Sequence, residues 1–145
     1  MWHVLIFLGC LAVCSGGSLI FGGTPERIGA AIFLLGTAAS VMAATPGFAS
    51  PELGLFAVDG LICASFILLA LRANRFWPMV VSAILLLQLF GHVLKLAVPD
   101  MYPWLYWLNS SIWAYPTQIA LLIGTINYRR RRRSGAVRSW SNFSG

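Results

Sequence analysis

Five apolar stretches, each about long enough to cross a hydrocarbon layer as a helix, leave this chain few folds to choose from. They run over 2–22, 26–46, 51–72, 76–98 and 103–128. A helix pairs its own backbone N–H and C=O groups, which is what a segment surrounded by lipid requires. Charged residues make up only 10% of the chain, against about 25% in a soluble domain. Too little polar surface remains to coat a water-soluble globule. The sequence therefore predicts an all-α integral membrane protein. Residues 1–128 form a single five-transmembrane-helix bundle, followed over 129–145 by a basic, disordered cytoplasmic tail.

The breaks between the stretches are chemically marked. Gly22-Gly23-Thr24-Pro25-Glu26 closes the first and opens the second, with Thr24 as the expected N-cap and Pro25 in the first turn. Ser50-Pro51-Glu52 repeats the device before the third. In each, a hydroxyl can satisfy free N–H groups, proline sits where no donor is needed, and glutamate faces the positive helix end. Arg72-Ala73-Asn74-Arg75 separates the third and fourth stretches, with Phe76 and Trp77 expected at the membrane interface. Tyr102, Trp104, Tyr106 and Trp107 supply an aromatic belt at the start of the fifth. The first stretch lacks a basic leader and an A-x-A site, so it reads as a retained helix.

Basic residues orient the bundle. Arg129, Arg130, Arg131, Arg132 and Arg133 follow the last apolar stretch directly. Placed in the cytoplasm, they put Arg27, Arg72 and Arg75 there too and leave only Lys95 of the ten basic residues outside. The expected topology is therefore N-out and C-in, in a bacterial inner (plasma) membrane crossed several times. The arginines read as a topology anchor against anionic lipid headgroups. The net charge of +6 would suggest nucleic acid in a soluble protein, but here the membrane rule explains it and no nucleic-acid partner is expected.

Intramembrane polar residues concentrate on the third to fifth stretches. Asp59 lies on the third, Gln88, His92 and Lys95 form a four-then-three stripe on the fourth, and Asn109 and Ser110 lie on the fifth. One polar layer in the outer half can be built from these six. Ionised groups at such depth are costly and usually face the bundle and pair. Asp59 with His92 or Lys95 is the expected pair. One reading is a structural clamp, with Lys95 snorkelling to the outer headgroups; the other is a proton- or solute-responsive pocket, with histidine titrating.

Small residues Cys14 and Ser18, then Gly36, Ser40 and Ala44, allow close helix approach, either within the chain or in a homo-oligomer. Pro116 should kink the fifth helix. Cys10, Cys14 and Cys63 all lie in apolar stretches and read as small hydrophobes, with no disulfide or metal spacing evident. His3 and His92 could ligate haem only in a distant reading. No catalytic motif appears. The expected function is a non-enzymatic structural or accessory membrane component without cofactor. Its partners are the lipid bilayer and a second copy or another membrane protein. The rivals are a transporter-like or sensing protein and, more remotely, a haem-binding electron carrier.

Overall fold

The computed structural model describes residues 2–43, 53–98, 100 and 102–135, and these fold entirely as helices and short connections. Six helices are present among them: α1 (Trp2–Phe21), α2 (Thr24–Ala43), α3 (Leu53–Arg72), α4 (Trp77–Ala97), α5 (Pro103–Ile112) and α6 (Ala114–Arg133). By length and composition α2, α3 and α4 could each cross a membrane, and the apolar part of α1, Leu5–Phe21, is shorter. The Ser50-Pro51-Glu52 signal and the 46–51 connection lie outside the described residues.

Each helix packs on its chain neighbour up to α4, and α6 closes the ring by packing on both α1 and α4. Helices α1 and α6 run parallel. Phe7 meets Tyr115 edge-on at 6.4 Å, the Ser18 hydroxyl lies 2.8 Å from that of Thr125, and the Arg129 guanidinium sits 4.5 Å above the Phe21 ring. Two of the small residues make contacts within the chain, while Ala44 lies outside the described residues. Ser18 faces α6, and a Cβ at Gly36 would lie 2.5 Å from Ile62 of α3.

Two expected boundaries shift. Gly23, not Thr24, caps α2. Its carbonyl accepts the first helical bond from Arg27 (3.0 Å), its N–H donates to Glu26 Oε2 (3.1 Å), and Thr24 is exposed. Glutamate three residues into a helix can reach back to the capping N–H, which makes the hydroxyl unnecessary. The fifth stretch divides at Trp113 into α5 and α6. Pro116 has no N–H for the Ile112 carbonyl and its ring crowds that carbonyl, so the helix breaks one turn earlier. The Thr117 hydroxyl bonds back to the next carbonyls, those of Ala114 at 2.8 Å and Trp113 at 3.1 Å, at the start of α6.

The arginine run is likewise not a disordered tail. Helix α6 continues through Arg133, so Arg129–Arg133 are helical and exposed, while 136–145 lie outside the described residues.

The core gathers around Phe66, which lies 4.7 Å from Phe33 and 6.1 Å from Trp77 between ring centroids. Trp77, expected at the interface, points inward and is 6% exposed, whereas Phe76 beside it is exposed. Two glycines make room for its ring. A Cβ at Gly29 of α2 would lie 2.5 Å from its Cη2, and one at Gly124 of α6 would lie 2.5 Å from its Cδ1. Glycine at both positions lets a bulky indole enter where three helices converge.

Gly124→Ala should therefore displace Trp77 and cost about 1–3 kcal/mol, the usual penalty of overpacking a tight core. A lower thermal unfolding midpoint of the detergent-purified protein is the expected result. An unchanged midpoint would show that the indole is not held by its neighbours.

Candidate functional site

Helical periodicity places Leu55, Asp59, Cys63 and Phe66 on the buried face of α3, and Leu85, Gln88, His92 and Lys95 on that of α4. The two helices pack along these faces, so the polar members meet. Asp59 Oδ2 accepts from Gln88 Nε2 at 2.6 Å and contacts His92 Nε2 at 2.9 Å. His92 is 2% exposed and Asp59 7%. The Phe56 ring lies 5.7 Å from the imidazole, between centroids.

From Gln88 the network passes to α5. Its backbone carbonyl accepts from Asn109 Nδ2 at 3.3 Å, and Asn109 Oδ1 accepts from Trp113 Nε1 at 3.1 Å. Gly91 makes this approach feasible, because a Cβ there would collide with the Asn109 amide. Of the six residues singled out in the sequence, Asp59, Gln88, His92 and Asn109 are joined by these bonds. Lys95 is 1% exposed and does not snorkel outward. It shares the inward stripe of α4 with Gln88 and His92, so its stem starts inside the bundle. Ser110 belongs to α5, and its side chain lies outside the described residues.

A second charged cluster sits at the end of the bundle that carries the arginines. Glu26 is fully buried. Its Oε1 accepts from Trp77 Nε1 at 3.1 Å and lies 3.9 Å from Arg75 Nε, while Oε2 accepts the Gly23 N–H. Sequence reasoning assigned Glu26 to the helix dipole and Arg75 to the positive-inside pattern, and missed that they meet. The signal was present: the two connections share one side of the bundle, and Glu26 is the one acidic residue among the arginines there.

A carboxylate held by an imidazole and an amide can hold helices in register, exchange a proton, or bind a small polar solute. No group of three or more His, Cys, Asp and Glu able to hold a metal ion occurs among the described residues. Haem ligation through His92 Nε2 would require that nitrogen to leave Asp59. Comparison with family models, curated proteins and solved structures finds no match for this chain.

Asp59→Ala should take one buried acceptor from both the Gln88 amide and His92, at a cost of about 2–4 kcal/mol. Double-mutant cycles should resolve the contacts. Asp59→Ala with Gln88→Leu, and Asp59→Ala with His92→Leu, are each expected to couple by about 1–3 kcal/mol in detergent unfolding. Additive losses would mean that the contacts are not energetically joined.

Proposed function

We propose that this chain is a five-crossing membrane protein, N-out and C-in, acting as a non-enzymatic structural or accessory component of a bacterial inner membrane. Helix α1, helices α2 to α4, and α5 with α6 taken together make the five crossings. The observation that carries the functional part is that the polar groups in the half of the bundle away from the arginines bond across helices. Asp59 of α3 holds two side chains of α4, and Asn109 of α5 holds the α4 backbone. Groups used this way fix helix register. The outward surface supports the membrane reading, with Leu35, Val41, Leu61, Leu71 and Phe90 each about two-thirds exposed or more.

The arginines that extend α6 stand where the anionic headgroups of the inner leaflet would meet them. Their helical form fixes them around the axis instead of leaving them on a free strand. A second reading, a proton- or solute-responsive protein, draws on one specific contact, the 2.9 Å approach of His92 to Asp59. Exchange of Asp59 for asparagine separates the two. A clamp lowers the unfolding midpoint in detergent when Asp59 is exchanged, whereas a site that serves only proton or solute exchange leaves the midpoint unchanged.

Topology is tested by single cysteines in a chain with Cys10, Cys14 and Cys63 replaced by serine. A cysteine at Asp100 should react with an impermeant maleimide added to intact cells. One at the exposed Asn74 should react only after permeabilisation. Labelling of the Asn74 position from outside would overturn the orientation.

A further inference from the structure

The Cys10 and Cys14 sulfurs, one helical turn apart on α1, lie 3.9 Å from each other. Cys14 is buried and Cys10 half-buried, and both are free thiols. They belong to the stripe of α1 that faces α6, between the Phe7–Tyr115 and Ser18–Thr125 contacts. The parallel offset of the two helices sets Gln118 at the level of Cys10 and Leu11. Gln118 is 2% exposed and its Oε1 has no hydrogen-bond partner; the fully buried Ser15 hydroxyl beside Cys14 has none either. The α1–α6 seam thus combines two adjacent thiols with polar atoms that the fold leaves unused.

We infer that Cys10 and Cys14 form a two-coordinate site for a soft, thiolate-seeking divalent cation, with mercury(II) as the defining probe. Thiolates select soft metals, and coordination number then decides among them. Zinc and its like require about four ligands, and no third histidine, cysteine or carboxylate joins the two thiols among the described residues. A metal satisfied by two sulfurs needs no more. With thiolate bonds of about 2.3 Å, as for zinc, a linear bridge spans about 4.6 Å. The sulfurs need to part by only about 0.7 Å, a small χ1 adjustment at each cysteine. The charge also balances. One divalent cation displaces two thiol protons, which leave to water, and the resulting bis-thiolate complex is neutral. Neutrality is what an apolar surrounding favours.

The test uses the full chain purified in detergent, which keeps it independent of the topology and function proposed above. Mercury(II) is added in the presence of excess glutathione, which strips metal from single thiols, and the protein is desalted and analysed. One mercury retained per chain is expected, with X-ray absorption showing two sulfur neighbours. Cys10→Ser and Cys14→Ser should each lower retention at least tenfold, while Cys63→Ser should retain the full amount. Zinc(II) should be lost from every form. Circular dichroism of each variant checks that the helices persist, so that loss of metal is not loss of fold. Retention by Cys10→Ser or Cys14→Ser, no retention by the unmodified chain, or equal retention of zinc would each overturn the site.

Discussion

A carboxylate removed from water must find its donors inside the protein, and among the described residues both buried carboxylates find donors on another helix. Glu26 begins α2 and takes the Trp77 indole of α4; Asp59 lies in α3 and takes Gln88 and His92 of α4. Helix α4 is therefore fixed at two levels, Trp77 and Gln88 being eleven residues and about 16 Å apart along its axis. Rotating α4 would break the α4 contacts of both carboxylates at once. The hydrophobic contacts are less selective, because apolar side chains tolerate many rotations that buried anions do not.

The α1–α6 seam is joined by weaker means, and proton counting shows why. Ser18 Oγ reaches the Cys14 carbonyl at 2.7 Å, Thr125 Oγ1 reaches the Leu121 carbonyl at 3.0 Å, and the two hydroxyls lie 2.8 Å apart. Two hydroxyl protons cannot serve three such contacts simultaneously. Either the cross-helix bond forms and one carbonyl loses its extra donor, or both hydroxyls bond back to their own helices. The seam therefore relies on close packing around Ser18 and Cys14 more than on this bond, as small residues in helix interfaces permit. It is also the region that holds the unpartnered Ser15 and Gln118 atoms.

Much of the helix pattern was legible from hydropathy alone, because segment length and the short polar breaks leave little freedom. The polar faces were legible as well: Gln88, His92 and Lys95 recur at helical spacing, and so do Asp59 and Cys63. What periodicity could not supply was the direction of individual side chains at helix ends. Trp77 resembled an interfacial anchor by position, yet Gly29 and Gly124, distant in sequence and on two other helices, open the space that turns it inward. Lys95 resembled a snorkelling residue because it lies near an end, but the stripe it shares with His92 decides its direction. The Gly23 cap was hidden for a different reason. Thr24 carried the stronger local preference, and the backward reach of Glu26 prevailed because the same carboxylate was already held by Trp77.

The separation of the two charged clusters bears on which proposed role fits better. Between them lie Phe66, Val81 and Leu121, none exposed at all, on three different helices. Ser82, at this intermediate level of α4, directs its hydroxyl to its own Pro78 carbonyl. An ion moving from Asp59 toward Glu26 would have to cross that apolar layer without a continuous set of cross-helix polar partners, at the cost that intramembrane charge carries. The same layer suits a clamp. Apolar packing at mid-height supplies cohesion, and the carboxylates on either side prevent the helices from slipping or rotating past one another. The geometry thus fits the proposed rigid component better than a conduit between the two clusters.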